Sequence, residues 1–151
     1  MVGTLTDTLS PSAFGSCSGA AKGTPLKGHT WGVTAVAFTG DGRLVTGSRD
    51  NTLCVWDLER GGKPLVRMEG HEREIVAIAV SPDGTRVLSC ADGDRVGRVR
   101  AWDVKTGREL GRFDPHHGDA FRLSFSTDGR CGYSISRDDR AVAILDGDAF
   151  Q

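Results

Sequence analysis

The chain repeats one order of residues three times, and this repetition limits its possible folds more than any other feature of the sequence. Each copy starts at a histidine, passes an Asp-Gly pair and a second aspartate, and closes on an aspartate that follows a large apolar residue. The starting residues are His29, His71 and His116, which are 42 and 45 residues apart. A period of roughly 20–50 residues is typical of solenoids and propellers, in which each repeat is one supersecondary unit.

Within each copy, the pattern predicts short strands joined by tight turns. Six-residue runs that are mostly apolar are typical of inner strands covered on both faces, and they lie at 33–38, 75–80 and 120–125. Each run is followed by an Asp-Gly pair, the strongest short-range hairpin signal. Two further strands follow in each copy, and segments 64–68 and 109–113 are expected to add outer strands. No segment has a helical period, so the chain is predicted to be all-β.

The fixed order of Gly-His, Asp-Gly, Asp and Trp-Asp over residues 25–146 resembles the WD-repeat family. The third copy departs from the pattern at both ends, with Pro115 in place of glycine and Leu145 in place of tryptophan. The resemblance implies about three four-stranded β-propeller blades in an incomplete ring. We assign these blades to residues 25–62, 63–108 and 109–151, after a Ser/Gly/Ala-rich leader (1–24) that is flexible or forms an edge strand.

The resemblance also implies a hydrogen-bonded network in each repeat. Indole only donates, a hydroxyl both donates and accepts, and a carboxylate accepts, so the set can satisfy all of its members. We interpret the Ser, His and Asp of this network as structural and not as a nucleophilic triad, because the set recurs in every repeat. The expected members are His29, Ser48, Asp50 and Trp56, then His71, Asp92 and Trp102, and finally His116, Ser136 and Asp138.

Two departures from this network predict unequal repeats. Cys90 stands where the second repeat is expected to have serine, and a thiol is a weaker donor and acceptor than a hydroxyl. Leu145 removes the indole donor from the third repeat. We therefore expect stability to decline from the first repeat towards the C-terminal one.

Partner binding is expected in the loops at the top of the blades, because loops on a rigid scaffold carry binding residues. The second repeat has a longer, charged loop around Gly93 to Gly97, and Trp and Arg dominate interface hot spots. For each arginine the alternative is a side chain that is simply exposed to solvent, and for Trp31 the alternative is that it covers a neighbouring blade. The candidate partner-binding residues are Trp31, Arg49, Arg73, Asp94, Arg95 and Arg137.

The sequence favours an intracellular, cytoplasmic location, and the resemblance implies that the partners are other proteins. The net charge of −1 provides no basic surface for nucleic acid, and no signal peptide or transmembrane segment is recognisable. No metal or cofactor is expected, because His116 and the adjacent His117 would point to opposite faces of a strand. An enzyme would have to use residues outside the network, such as Asp94, Arg95 and His117, which form no recognisable constellation. We therefore predict a chain without catalytic activity.

The strand count predicts that the chain works with others. Propellers typically need four to eight blades, whereas these repeats supply three, and the last one lacks an outer strand. Three alternatives remain: a subunit within a multi-protein assembly, a homo-oligomer that closes a ring, or a piece of a longer propeller. We favour a non-catalytic scaffold subunit, with ring closure second and a purely structural filler subunit as a further alternative.

Overall fold

The computed structural model describes residues 25–94 and 98–150, with only the backbone of Ala149 and Phe150. The proposed leader (1–24) and Arg95 lie outside the described residues. Eleven strands occur in the described part, and they form three antiparallel sheets. Sheet 1 contains β1 (Val33–Phe38), β2 (Leu44–Ser48), β3 (Leu53–Trp56) and β4 (Val66–Met68). Sheet 2 contains β5 (Ile75–Val80), β6 (Arg86–Ala91), β7 (Val99–Asp103) and β8 (Glu109–Phe113). Sheet 3 contains β9 (Ala120–Phe125), β10 (Cys131–Ser136) and β11 (Val142–Asp146), which a short 3₁₀ helix (Gly147–Phe150) follows.

Each sheet is a simple meander, and this arrangement confirms the predicted all-β fold. The spatial order follows the chain order, so every strand pairs with its sequence neighbour. The fourth strand of a sheet pairs with the third strand that precedes it, as Leu53 and Met68 show in sheet 1. The sheets therefore do not coincide with the blades assigned from the sequence. The assigned boundaries at 62/63 and 108/109 fall before β4 and β8, whereas β4 pairs within sheet 1 and β8 within sheet 2. Residues 25–27 form no strand.

The Asp-Gly pairs lie in the turns that join the first two strands of each sheet. Gly42, Gly84 and Gly129 have φ angles of 87°, 72° and 72°, in the left-handed region that glycine adopts without a steric penalty. The aspartate before each glycine accepts a hydrogen bond from the backbone nitrogen two residues later, as Asp83 does from Thr85 at 3.0 Å. A hydrogen bond from the Ser81 hydroxyl, followed by those from Thr85, holds the pKa of Asp83 at about 2. The pairing is regular next to each of these turns, and each hairpin contains one register shift at its other end, between Val33 and Ala35, between Ile75 and Ala77, and between Ile135 and Ser136.

The three sheets stack through apolar faces, with β1 in contact with β5 and β5 in contact with β9. The core between sheets 1 and 2 joins one face of sheet 1, including Val45 and Val55, to Ile75 and Trp102 of sheet 2. The core between sheets 2 and 3 joins Leu88 and other residues of sheet 2 to Leu145 and Ala120 of sheet 3. Each interface therefore joins the same two kinds of sheet face, and the repeat of the sequence becomes a repeat of packing.

The two end sheets differ in how their outer faces are buried. On sheet 1, Leu44, Cys54, Trp56 and Leu58 form a buried cluster against which Leu26 packs. On sheet 3, the outward face carries Val142 and Ile144, whose exposed fractions are 60% and 68%. Among the described residues, no helix is long and apolar enough to cross a bilayer.

Candidate functional site

The loops divide between two opposite edges of the sheets because neighbouring strands run in opposite directions. One edge carries the Asp-Gly turns. The other, which we call the upper edge, carries the loops that enter the first strand of each sheet and the loops between the second and third strands. The histidine networks and most of the candidate partner-binding residues belong to this upper edge.

In sheet 1, His29 connects the entering loop to the sheet. Its Nδ1 lies 2.9 Å from Asp50 Oδ2, and its Nε2 lies 2.7 Å from Thr46 Oγ1. The Trp56 indole donates to the same Thr46 oxygen at 2.8 Å. Burial alone would raise the pKa of Asp50, but hydrogen bonds from Thr52, His29 and the Thr30 backbone outweigh it and hold the pKa at about 2.

In sheet 2, the same arrangement is more deeply buried. His71 Nδ1 lies 2.5 Å from Asp94 Oδ2, His71 Nε2 lies 2.7 Å from Ser89 Oγ, and Trp102 donates to Ser89 at 2.7 Å. Burial lowers the pKa of His71 below its ordinary value, against the opposing effect of Asp94. The neutral imidazole is therefore the form that the folded state favours.

In sheet 3, His116 makes the equivalent contacts without an indole. Its Nδ1 lies 2.9 Å from Asp139 Oδ2, and its Nε2 lies 2.8 Å from Ser134 Oγ. The backbone nitrogens of His117 and Gly118 also donate to Asp139. Leu145 occupies the tryptophan position and has no hydrogen to donate.

Several expected network residues are replaced by others, and these corrections have physical causes. The hydroxyl belongs to Thr46 and Ser134, not to Ser48 and Ser136, because each imidazole reaches two residues further down the strand. Ser48 Oγ instead donates to the Gly32 carbonyl at 3.0 Å, and Ser136 Oγ accepts from the Asp138 backbone at 3.3 Å. Both hydroxyls therefore close their own turns.

The expectation that the second network lacks a serine is also wrong. Ser89 supplies the hydroxyl, whereas Cys90 is buried in the opposite interface with sheet 3. The premise of a weaker second network is therefore wrong, and only the third network lacks one of its donors. The histidine and the hydroxyl are 17 residues apart in the first repeat and 18 apart in the other two, and this nearly constant separation would have pointed to Thr46, Ser89 and Ser134 from the sequence.

The carboxylates of the second and third networks are displaced as well. Asp94 and Asp139 bind the histidines, in place of the expected Asp92 and Asp138. Eight positions separate Asp94 from Trp102, whereas six separate Asp50 from Trp56, because the second repeat has the longer loop. Asp139 lies six positions before Leu145, as Asp50 does before Trp56, so the third repeat keeps the spacing of the first and the expected Asp138 is one residue too early. Asp94 is 1% exposed and is therefore a network residue that cannot reach a partner.

The other described candidate residues are exposed on the upper edge. The exposed fraction of Trp31 is 71%. Arg49 Nε lies 3.4 Å from Glu74 Oε2, and Arg73 lines a shallow concavity with Glu74 and Asp92. The guanidinium carbon of Arg137 lies 5.0 Å from the centre of the Phe121 ring, within the range of a cation–π contact.

Comparisons with known proteins agree on one family. The family described as "WD domain, G-beta repeat" matches residues 20–57 and 62–96. A "Guanine nucleotide-binding protein subunit beta" of Arabidopsis thaliana is 30% identical over 83% of this chain and 32% of that protein. A "Target of rapamycin complex subunit wat1" of Schizosaccharomyces pombe is 40% identical over 52% of this chain and 24% of that protein.

A third relative, "Small ribosomal subunit protein RACK1y" of Oryza sativa subsp. japonica, is 36% identical over 58% of this chain and 26% of that protein. The chain thus spans about a quarter to a third of the length of these relatives. Two family matches, repeated histidine networks and three stacked antiparallel sheets all agree. On this evidence the chain belongs to the WD-repeat family.

Proposed function

We propose that this chain is a non-catalytic interaction scaffold that binds a protein partner through its upper edge, as a subunit of a multi-protein assembly. The observation that carries the proposal is the exposure of Trp31, with 71% of its surface open to solvent. A tryptophan is among the residue types that dominate interface energetics. Its loop is held to sheet 1, because the Ser48 hydroxyl donates to the carbonyls of Trp31 and Gly32 at 3.2 and 3.0 Å.

The names of the relatives support a role in assemblies. Two of them are named as subunits, one of a guanine nucleotide-binding protein and one of a target of rapamycin complex. A third is named as a protein of the small ribosomal subunit. None of these names describes a catalytic activity, and they support a scaffold better than an enzyme.

Burial of the histidine networks argues further against nucleophilic catalysis. The Ser89 hydroxyl has no exposed surface, and His71 and Asp94 are buried beside it. A nucleophile must reach the reacting atom of a substrate, and Ser89 is already bonded to both His71 and Trp102. These groups stabilise the fold, and the proposal therefore assigns recognition to exposed residues of the upper edge.

Photocrosslinking at Trp31 tests the proposal. A benzophenone amino acid replaces Trp31 in one protein and Arg60 in a matched control, since Arg60 is exposed at the opposite end of sheet 1. In extracts of cells that express the chain, we expect a protein adduct from position 31 and little from position 60. Arg49→Ala should reduce the adduct yield at position 31 without lowering the thermal unfolding midpoint.

Two outcomes would contradict the upper-edge proposal. Equal adduct yields at positions 31 and 60 would indicate nonspecific contact. No adduct at either position, together with co-sedimentation of the chain in a large assembly, would favour the structural filler subunit.

A homo-oligomer is the second candidate, and the outward face of sheet 3 favours it. Val142 and Ile144 are large apolar side chains that stand mostly in solvent. Stacking against another sheet would bury them as the equivalent faces of sheets 1 and 2 are buried. Sedimentation equilibrium tests this candidate: a purified 16.1 kDa monomer contradicts it, and dissociation of an oligomer by Ile144→Thr supports it.

A further inference from the structure

A groove on the upper edge lies between sheets 2 and 3, and Arg137 is the expected partner-binding residue that lines it. It encloses about 380 Å³, at the lower end of the range of roughly 300–1,000 Å³ for ligand pockets. Four separate segments line it, and the lining side chains are Val76, Asp92, Asp119, Ala120, Phe121, Arg137 and Asp138. A smaller concavity of about 270 Å³ shares Asp92 and adds Arg73 and Glu74.

We infer that this groove binds a basic side chain, arginine or lysine, of the partner polypeptide. The inference rests on the proposed function, because it assigns a chemical class of ligand to part of the same upper edge. The proposed ligand is a cation on a flexible aliphatic stem, and it is neither a metal ion nor an anion.

Charge is the first reason. The groove lining contains three carboxylates and one guanidinium, which gives a formal charge of −2. Asp119 is approached by Arg98 at 3.7 Å, but no ion pair among the described residues joins Asp92 or Asp138 to a cation. Both of these aspartates are exposed, so their carboxylates are open to a ligand. A partner cation would gain charge-assisted hydrogen bonds there, which are stronger than neutral ones.

The apolar wall of the groove is the second reason. Val76 is 37% exposed on β5, the edge strand of sheet 2, and Phe121 lines the same space. Arg137 lies over that ring at 5.0 Å and is thus held against the wall. Lysine and arginine carry methylene stems that cover apolar surface while their charged ends reach polar groups. The lining of the groove offers both kinds of surface.

The spacing of the carboxylates disfavours a metal ion. Within 25–94 and 98–150, no three His, Cys, Asp or Glu side chains come close enough together to hold one. An anionic ligand is also disfavoured, because three carboxylates in the lining would repel it. The one arginine that could attract it, Arg137, is already stacked on Phe121.

Nuclear magnetic resonance of the ¹⁵N-labelled chain tests the inference with defined peptides. The probes are capped heptapeptides of Gly and Ser with one central arginine, lysine, citrulline or glutamate. We expect the arginine and lysine peptides to shift the amide resonances of Val76, Asp92, Phe121 and Asp138 saturably at low salt. Citrulline matches arginine in shape without its charge, so it should bind at least about tenfold more weakly. The affinities of the arginine and lysine peptides, compared with each other, determine which cation the groove prefers.

A matched pair of variants locates the binding. Asp92→Asn with Asp138→Asn should weaken the arginine peptide about tenfold, because two charge-assisted acceptors are lost. Glu59→Gln with Glu69→Gln changes the net charge equally on sheet 1 and should leave the affinity within about twofold of that of the unmodified chain. Both double variants must retain the unbound spectrum and thermal midpoint; if the aspartate pair unfolds, the citrulline comparison with the unmodified chain decides.

Three results would overturn the inference: equal binding of citrulline and arginine peptides, equal weakening by both double variants, or shifts that exclude the groove residues. Persistent crosslinking at position 31 alongside any of them would leave the proposed function intact. Loss of that crosslinking with intact peptide binding would overturn the proposed function instead.

Discussion

The indole nitrogen of Trp102 donates to the Ser89 hydroxyl at 2.7 Å, and this contact determines the proton positions along the whole network of sheet 2. Because indole only donates, the Ser89 oxygen accepts there and its own hydrogen points to His71 Nε2. Nε2 is then unprotonated, and Nδ1 donates to Asp94. Every member is satisfied with a neutral imidazole, in agreement with the lowered pKa of His71.

Removing the central hydroxyl should destabilise the chain strongly. Ser89→Ala leaves the Trp102 N–H and the His71 Nε2 without a partner in a buried site, and each such loss costs about 1–3 kcal/mol. We expect the free energy of unfolding in urea to fall by about 2–4 kcal/mol. Ser136→Ala is the matched control, because that hydroxyl accepts only a 3.3 Å backbone hydrogen bond. A loss as large in the control would contradict the assignment of Ser89.

Acidification should weaken the fold through His71. Its folded-state pKa lies below the ordinary value of 6.5, so the unfolded chain binds more protons below that pH. Its contribution to stability is therefore complete above pH 6.5 and is lost as the pH falls towards the folded-state pKa, by up to about 1.4 kcal/mol per pH unit. Urea unfolding between pH 7.5 and 5.0 measures the loss. A His71 ring resonance that titrates at or above pH 6.5 would refute this prediction.

Pro115 and Leu145 should be energetically coupled. A Cβ built on Gly28 would lie 3.0 Å from Trp56 Cη2, so glycine makes room for tryptophan in sheet 1. Sheet 3 has proline and leucine at the two equivalent positions. Leu145→Trp alone should overpack the site and cost about 1–3 kcal/mol. Pro115→Gly together with Leu145→Trp should recover at least about 1 kcal/mol of that loss relative to additivity. A urea double-mutant cycle that is strictly additive would contradict the coupling.

The buried thiols should be unreactive in the folded chain. Burial raises the pKa of Cys54 to about 11 and that of Cys90 to about 12, so thiolate is scarce at pH 8. Cys131 is only half-buried and should be alkylated first among these three. Mass spectrometry after brief iodoacetamide treatment, with and without urea, measures the difference. Modification of Cys90 at the same rate in both conditions would indicate that the core between sheets 2 and 3 opens readily.

Local signals in the sequence predicted the architecture well. The Asp-Gly pairs that end at Gly42, Gly84 and Gly129 form the predicted tight turns with a left-handed glycine. The apolar runs form strands as predicted, but the expectation that both of their faces are covered is wrong, because β1 is an edge strand on which Val36 and Phe38 are 50% and 51% exposed. The three repeats therefore predicted the meander of each sheet and the role of His29, His71 and His116 as its anchors. These features depend on residues that are close in the chain.

The identities of the network partners depend on contacts between distant segments. One residue along a strand reverses the direction of a side chain, which is why Ser89 faces the network and Cys90 faces sheet 3. In the longer loop of the second repeat, Asp94 and not Asp92 contacts His71. A nearly constant spacing from the histidine would have pointed to the hydroxyls, but repeat alignment alone favoured their neighbours.

The sequence by itself determined that this chain forms repeated antiparallel sheets, because strand periodicity and turn chemistry are local properties. Only the tertiary structure decided which surface remains open to a ligand. Val76, Asp92, Phe121 and Asp138 belong to separate segments, and they line one groove because sheet 3 packs beside sheet 2. No pattern along the chain marks that juxtaposition, since it arises from the burial of apolar faces between the sheets.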